Sequence, residues 1–454
     1  MKKIVASVGL FAVGASGLQA ANVPGFSEDT PKPWSVSAAL RGFYDDNVNG
    51  TTGANVTGSY GFEVNPSLKI AGGTEQTSGN LGADFSYKYY EKKINPNNSQ
   101  HYDWSVTASG SLVHVFNERY LGSVHDAFAI GQEPDLLRAS STGPGAAFTT
   151  FQRIPGSNVR NSGGIDFLAQ VTPLFGLDVG YDNSLFHYAD QGAKAPDGTT
   201  TGNGAVTASS AGSLDLLQHS IHVNGRWTIQ PTLVGITGYQ YSQVDYTGDE
   251  YISGFMVNGV VQTGGFFAAA FPPFKSDVRN ARSHYGYLGV EDTLRPDLTG
   301  TASVGARYTD NYNDPSHANE VSPYANLSLS YAYLPGSSLE GGFTYDYSST
   351  DRLNPSASGQ LAQYSQSAVV HATLTHRILP DLTGSLTAQF QDSAIHGGGA
   401  DGKDELFYLV GLNFRYSFNQ FLAAEVGYNY DKLDSQVANS FSRNRVYLGV
   451  TASY

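Results

Sequence analysis

The sequence predicts an all-β protein, a transmembrane antiparallel β-barrel of about 18 strands with short periplasmic turns and long extracellular loops. Three observations predict this fold. Apolar and polar residues alternate with a period of two, short turns recur between the alternating segments, and the chain is rich in glycine and tyrosine but low in charge.

The composition separates this chain from typical helical enzymes. Its 454 residues include 52 Gly, 29 Tyr and 24 Phe, only 15% of the residues are charged, and Cys is absent. The lack of Cys excludes disulfides and a lipid-modified cysteine. Because barrels run long as single units and no composition shift divides the chain beyond its N-terminal region, we expect one domain.

The N-terminus has the pattern of an export signal. Lys2 and Lys3 precede an apolar run from Ile4 to Leu18, and small residues at Ala20 and Ala21 offer a cleavage site. We therefore expect a signal peptide at 1–20, a periplasmic segment at 21–33 and the barrel at 34–454. The alternative, an uncleaved helical anchor, is disfavoured because the run is shorter than the ~20 residues that span a bilayer. Loss of both lysines takes the formal charge from -14 to -16, which argues against a nucleic-acid partner.

Alternation is clearest in three distant segments. In lipid every backbone polar group must be paired internally, so a chain without a second long apolar run has to cross as a closed barrel. The apolar faces are Leu298, Gly300, Ala302, Val304, Ala306 and Tyr308; Leu339, Gly341, Phe343, Tyr345 and Tyr347; and Leu422, Ala424, Val426, Tyr428 and Tyr430. The opposite faces carry Thr, Ser, Gly, Asn, Arg, Asp and Glu. Segments 213–228 and 282–294 alternate less cleanly.

Short turns recur between the alternating segments. PDLTG occurs twice, at 296–300 and 380–384, where Pro presets φ and Asp bonds nearby backbone. Similar turns are expected near 117–120, 172–175, 230–232, 334–337 and 418–420, with a looser one near 72–79. Counting segments between them gives about 18 strands from Trp34 to Tyr454, and an even number leaves both ends in the periplasm.

Aromatic residues are placed as a membrane barrel requires. Tyrosines recur at the ends of the predicted strands, where amphipathic rings suit the lipid headgroups: Tyr87, Tyr89, Tyr181, Tyr239, Tyr241, Tyr331, Tyr333, Tyr428 and Tyr430. The last segment alternates up to a terminal Tyr454 on its apolar face. This ending resembles the signal that barrel assembly machinery reads in outer-membrane proteins, so we expect that machinery as a partner, together with outer-membrane lipid.

Three segments resemble a known family, the putative beta-barrel porin 2 family of Gram-negative outer membranes. They are WSVSAALRGFYDDNVN (34–49), GQEPDLL (131–137) and FQRIPGSNVRNSGGIDFLAQVTPLFGLDVGYDN (151–183). The likeness is carried by the first half of the chain, and the second half shares only the pattern. The resemblance implies a monomeric outer-membrane barrel of unassigned substrate, and some similar barrels accompany polysaccharide-export systems. It supplies no catalytic residues.

No pattern typical of catalysis or of a cofactor is present. The sequence lacks G-x-S-x-G, H-E-x-x-H and P-loop motifs, and His219 and His222 would point to opposite faces of a strand. We predict no enzyme activity, no cofactor and no metal site. YTDNYND at 308–314 clusters oxygen ligands, but its spacing does not match an EF-hand, which favours a solvated acidic turn over a Ca²⁺ site.

The predicted function lies in the lumen. Charged residues on the polar faces form the predicted pore lining: Arg41, Asp84, Asp166, Asp178, Arg226, Arg307, Glu340, Arg377, Arg415, Glu425, Arg443 and Arg445. Such charges produce a transverse field at a constriction, or they simply pair across neighbouring strands; both interpretations stay open. Barrel closure would bring Arg41 near Arg415, Arg443 and Arg445 and give a basic strip on one wall.

Three connections are long, roughly 133–160, 191–212 and 248–280. The third contains FMVNGVVQTGGFFAAAFPPF (255–274), which is too apolar to sit exposed in water. It is expected either to pack inside the mouth or against the other long loops and narrow the pore, or to form a short hairpin capped by its neighbours.

The sequence therefore predicts a porin-like channel that passes polar solutes through a water-filled lumen in the outer membrane of a Gram-negative bacterium. Two alternatives remain open: a conduit that works with periplasmic polysaccharide-export proteins, and a surface scaffold or adhesin. The segment 22–33 is too short for a plug domain, which disfavours energised transporters. The sequence names neither the solute, the ion selectivity nor the oligomeric state.

Overall fold

The chain forms one closed sheet. The computed structural model describes residues 32–53, 56–92, 100–131, 157–315, 319–350, 353, 361–437 and 439–454. In chain order the elements are β1 (Trp34–Asp45), β2 (Ser59–Gly73), β3 (Thr77–Tyr90), β4 (Tyr102–Asn117), β5 (Tyr120–Gly131), β6 (Asn158–Thr172), β7 (Phe175–Tyr188), β8 (Gly204–Ala205), α1 (Ser210–Leu214), β9 (Leu216–Gln230), β10 (Leu233–Tyr246), β11 (Phe255–Val257), β12 (Val260–Val261), α2 (Gly265–Ala270), β13 (Ala281–Arg295), β14 (Leu298–Asp310), β15 (Asn319–Leu334), β16 (Ser337–Ser349), β17 (Ala362–Leu379), β18 (Leu382–Gly397), β19 (Lys403–Ser417), β20 (Leu422–Ser435) and β21 (Phe441–Ser453).

Eighteen of these strands make the barrel, and β8, β11 and β12 form a separate small sheet. Each barrel strand pairs antiparallel with the next along the chain, and β21 closes the ring on β1 in a register that runs from Ser37 opposite Ser453 to Asp45 opposite Arg445. The predicted fold class is confirmed, including the strand number.

The outer surface of the barrel is apolar. Leu288, Val304 and Leu448 are 62%, 63% and 67% exposed, whereas Arg307, three residues beyond Val304 on β14, is 5% exposed. Exposed leucine and valine with buried arginine is the reverse of a soluble protein, because here the outer surface is solvated by lipid. Period-two alternation thus decides which side chains face lipid and which face the lumen.

The short turns lie where the sequence predicted them. Both PDLTG segments begin with a two-residue turn, Pro-Asp. A register shift precedes each turn, between Thr293 and Arg295 in one hairpin and between Arg377 and Leu379 in the other. In each, the turn aspartate uses its carbonyl to accept an amide of a neighbouring strand: Ala332 donates to Asp297 at 2.8 Å and Ser417 donates to Asp381 at 2.8 Å. The repeated motif is therefore a rim element that ties each hairpin to the next.

The long connections lie at the opposite rim, where several pack together. The hairpin of β11 and β12 pairs through Phe255 and Met256 with β8, so the third predicted loop packs against the second. Ile252 and Val278, from the connection before β13, form a buried apolar cluster with Leu361, from the connection before β17. The prediction that segment 255–274 avoids water is wrong for Phe266, which is 78% exposed. Residues 132–156, which hold most of the first long loop, lie outside the described residues.

The two ends of the barrel meet at the turn rim. The Trp34 and Tyr454 rings are 5.8 Å apart, and the Lys32 ammonium lies 3.7 Å from the centroid of the Tyr454 ring. The predicted signal peptide at 1–20 and residues 21–31 of the predicted periplasmic segment lie outside the described residues. None of the helices in the described part of the chain is long and apolar enough to span a bilayer.

Candidate functional site: the barrel lumen

All of the predicted pore-lining residues lie at positions whose strand neighbours point outward to lipid, so their Cβ atoms face the lumen. Arg377 departs from the group because it is at the turn rim, where its Nε and Nη2 donate to the Pro380 carbonyl at 3.3 and 3.0 Å. Its guanidinium holds a turn rather than reaching into the lumen. Asp84 on β3 and Glu340 on β16 face the lumen from separate parts of the wall.

Arg41 is the centre of a three-residue ion network beside the closing seam. Its Nε lies 2.6 Å from Glu425 Oε1 and its Nη1 lies 3.2 Å from Glu63 Oε2. Glu425 is two strands away, and the guanidinium reaches it across Gly449 of β21, whose missing side chain leaves room. On the other side of Glu425, Arg415 of β19 is its register partner. The row alternates in sign, so it carries little net charge.

The other arginines of the expected basic strip are also paired. Arg445 Nη2 lies 2.7 Å from Asp45 Oδ2, and the Asp45 side chain is 0% exposed. Arg443 Nε lies 3.0 Å from Asp431 Oδ1, and the Asp431 side chain is 2% exposed. The prediction of a basic strip is therefore wrong for Arg41, Arg443 and Arg445, because each meets a carboxylate on an adjacent or next-adjacent strand.

A tyrosine cluster lines another part of the wall. Tyr285 and Tyr287 of β13 face inward, with Tyr324 of β15 at 5.6 and 5.9 Å between ring centroids. Arg307 lies 4.8 Å from the Tyr285 ring and 3.4 Å from Asp346 Oδ1. These inward rings explain why segment 282–294 alternates poorly in the sequence.

Arg226 of β9 pairs with Glu291 of β13, across the intervening strand β10. The two guanidinium nitrogens Nη1 and Nη2 donate to the two carboxylate oxygens, the first at 2.9 Å. Such a bidentate pair fixes both side chains against the wall. Of the two interpretations that the sequence left open, pairing across the wall describes Arg41, Arg226, Arg307, Arg443 and Arg445.

A cavity of about 220 Å³ opens on the lumen beside the seam. Most of its lining side chains are polar, and Phe43, Leu409 and Leu412 are the apolar ones; the polar set is Arg41, Glu63, Lys88, Ser385, Thr387, Asn413, Asn429, Arg445 and Tyr447. Asn413 Nδ2 donates to the Tyr447 hydroxyl at 2.6 Å. A wall with these groups hydrogen-bonds polar solutes and does not favour apolar ones.

Asp166 and Asp178 lie on a third part of the wall, with Asp182, His125 and His222. The sequence reasoning placed His219 and His222 on opposite faces, and the structure confirms this: His219 Nδ1 contacts the outward Tyr181 hydroxyl at 2.7 Å, and His222 faces the lumen. Asp182 and His125 were missed, although counting in steps of two from Asp178 and from Ser123 would have placed both inward.

The mouth connections are held by buried polar contacts. Arg279, 2% exposed, donates through Nη1 to the Ser213 carbonyl at 2.7 Å and through Nη2 to the Thr350 carbonyl, and it lies 4.3 Å from the Tyr246 ring. Three connections therefore converge on one guanidinium. The sequence offered no signal for this role, since Arg279 belongs to no strand.

The segment 308–314 is engaged by its neighbours. The Tyr312 hydroxyl donates to Asp245 Oδ1 at 2.6 Å, and burial together with this carboxylate raises the pKa of Tyr312 to about 12. Asn313 Nδ2 donates to the Asp277 carbonyl at 3.0 Å. Within the described ranges, no group of three or more His, Asp and Glu is arranged to hold a metal ion.

Comparison with solved structures found barrels of low sequence identity. The siderophore receptor PirA of Acinetobacter baumannii is 9% identical over 94% of this chain and 81% of its own, with a TM-score of 0.43. OccAB4 of the same organism is 12% identical over 94% and 100%, with a TM-score of 0.41. The outer membrane protein OpdK of Pseudomonas aeruginosa is 12% identical over 93% and 99%, with a TM-score of 0.42. None of the curated proteins matches the sequence.

Comparison with family models gives one match, over residues 270–454, to the family described as putative beta-barrel porin 2. The family is the one that the sequence segments at 34–49, 131–137 and 151–183 resemble, but the match lies in the second half of the chain and those segments lie in the first. The closed 18-strand sheet, its apolar outer face and its polar lumen agree with this family. The chain is a closed 18-strand β-barrel whose residues 270–454 match the family described as putative beta-barrel porin 2.

Proposed function

We propose that this protein is a diffusion channel that passes small polar solutes through a water-filled lumen in a Gram-negative outer membrane. The observation that carries the proposal is the chemistry of the inner wall. Paired charges lie at several points on it, and amides and hydroxyls border a cavity of about 220 Å³ beside the seam. Barrels of this strand number are wide enough to enclose water instead of a side-chain core.

The wall around the paired arginines favours polar solutes over strongly charged ones. Most lumen arginines already have a carboxylate partner, so their remaining N–H groups act as hydrogen-bond donors more than as free charges. Hydroxyls and amides at Ser385, Thr387, Asn413 and Asn429 add donors and acceptors. These are the groups that replace the hydration of a polar solute in transit.

Purified protein in planar bilayers tests the proposal. We expect discrete, steady conductance steps from the protein alone, and swelling of proteoliposomes in small polar solutes. A polymer-export conduit would instead conduct poorly without its periplasmic partner, and a scaffold or adhesin barrel would give neither signal. Folded, inserted protein that produces no conductance would contradict the channel function.

A further inference from the structure

Five titratable side chains converge on the lumen wall formed by β5, β6, β7 and β9. His125 Nε2 lies 3.6 Å from Asp182 Oδ1, and His125 Nδ1 lies 3.9 Å from Asp166 Oδ2. His222 Nε2 lies 3.6 Å from Asp166 Oδ1 and 3.9 Å from Asp178 Oδ2, and His222 Nδ1 lies 3.8 Å from Asp182 Oδ2. We call these five residues the acid-histidine cluster.

Two glycines explain how the cluster assembles. In register, Asp166 and His222 lie on either side of Gly180, and His125 and Asp182 lie on either side of Gly164. A methyl group at Gly180 would overlap the His222 ring and the Asp166 carboxylate, and one at Gly164 would overlap the His125 ring and the Asp182 carboxylate. Asp166 and Asp182 therefore each approach a histidine two strands away across a position without a side chain, whereas Asp178 lies on β7, adjacent to His222 on β9.

Neutral side chains also bond the carboxylates of the cluster, and they do so without cancelling the negative charge. Ser123 Oγ donates to Asp166 Oδ2 at 3.3 Å and Asn224 Nδ2 donates to Asp178 Oδ2 at 3.2 Å. Tyr287 in turn donates to Asn224 Oδ1 at 2.6 Å. These bonds orient the two carboxylates and keep them directed at the histidines.

Arg226 is the cation on the same face of β9, and its guanidinium is held bidentately by Glu291. It therefore compensates Glu291 first and Asp178 only at longer range. Asp166 and Asp182 depend on the two imidazoles for nearby positive charge, and Asp178 has Arg226 in addition.

The charge of the cluster depends on the protonation of its histidines. With both imidazoles neutral, the three carboxylates give a formal charge of -3; with both protonated, the charge is -1. A histidine ordinarily titrates near about pH 6.5, within the range that a bacterial surface meets. The distances of 3.6 to 3.9 Å between histidine nitrogens and carboxylate oxygens are slightly too long for hydrogen bonds. A protonated ring can donate from both nitrogens, and the carboxylates are close enough to move into hydrogen-bonding distance.

We infer that the acid-histidine cluster is a proton-operated charge switch on the lumen wall. With neutral histidines it draws cations into the channel, and protonation of His125 and His222 removes most of that preference. The inference rests on the proposed channel function, because selectivity requires a conducting lumen. It places a net negative charge on the wall formed by β5, β6, β7 and β9, away from the paired arginines of the seam.

Reversal potentials across a salt gradient test the switch, measured at about pH 8 and about pH 5. For the unaltered protein we expect the cation-to-anion permeability ratio to fall roughly threefold at the lower pH, in step with the cluster charge. His125→Gln combined with His222→Gln should abolish this pH dependence. His371→Gln, which changes an inward histidine on β17, is the matched control and should retain it.

A second variant tests the carboxylates and guards against a misfolded histidine variant. Asp166→Asn, Asp178→Asn and Asp182→Asn together should remove the cation preference at about pH 8, and the shift in mobility of unheated protein on gels reports folding. Current with a pH-independent reversal potential in the unaltered protein would contradict the switch alone. A folded barrel without current at either pH would contradict the channel function itself.

Discussion

Single glycines decide which charges meet inside this barrel. Gly449 lies under the Arg41 side chain, and a methyl group there would come within 2.7 Å of Arg41 Cγ and 2.8 Å of the Leu40 carbonyl oxygen. Its absent side chain lets Arg41 reach Glu425 across a whole strand. A Cβ at this position conflicts with backbone as well as with side chain, so simple rotation of Arg41 does not relieve it.

The replacement Gly449→Ala should destabilise the barrel by about 1–3 kcal/mol, the usual cost of overpacking. Gly42→Ala is the matched control, because it lies on the opposite face of the same seam with nothing within 4 Å of the added methyl. Denaturant unfolding in lipid vesicles measures both. Equal free energies of unfolding for the two variants would show that Gly449 has no packing role.

At the scale of elements, the mouth is organised by contacts between connections. Arg279 links the connections before β9, before β13 and before β17 through the carbonyls of Ser213 and Thr350. Lys275, on the same connection as Arg279, makes an exposed ion pair with Asp249, whose side chain is 83% exposed, and its ammonium lies 5.8 Å from the centroid of the Tyr251 ring. Exposed pairs of this kind contribute little to stability.

Arg279→Ala should release the three connections from each other, because two buried carbonyls lose their donor. We expect faster proteolytic cleavage within 189–215 and 247–280, and larger or noisier conductance steps. Lys275→Ala should behave as the unaltered protein in both assays. If the Arg279 variant is as resistant to protease as the Lys275 variant, the apolar cluster of Ile252, Val278 and Leu361 holds the mouth without the arginine.

At the scale of the whole molecule, closure depends on the β1–β21 seam. Backbone pairing spans Ser37 to Asp45 on β1, and the buried Asp45–Arg445 pair lies at its far end. Removing one member of a buried pair leaves an uncompensated charge, which typically costs 3–5 kcal/mol, more than the pair itself contributes. We therefore expect the pair to disfavour other closing registers, in which one of the two charges would be buried without its partner.

A double-mutant cycle on Asp45→Asn and Arg445→Gln measures this coupling. Each single change should destabilise by about 3 kcal/mol or more, and the double variant should lose much less than the sum. The exposed pair Lys432–Asp434, at 43% and 58% side-chain exposure, is the control and should couple by under about 1 kcal/mol. Additive effects at Asp45 and Arg445 would mean that the backbone ladder alone sets closure.

The sequence by itself determined the wall, its two faces and its turns. Alternation with period two assigns Val304 to lipid and Arg307 to the lumen without knowledge of any neighbour, because a strand turns each successive side chain to the other face. Pro296 and Asp297 likewise set a turn from local backbone preferences.

Only the tertiary structure decided which charges pair, since that depends on strand register and on the gaps that glycines leave. Glu425 reaches Arg41 over a sequence separation of 384 residues, and the expected basic strip disappears once such partners are counted. The inward tyrosines on β13 and the convergence of three connections on Arg279 also arise from contacts between distant segments. A local pattern records the direction of a side chain, but it holds no information about what lies across the barrel.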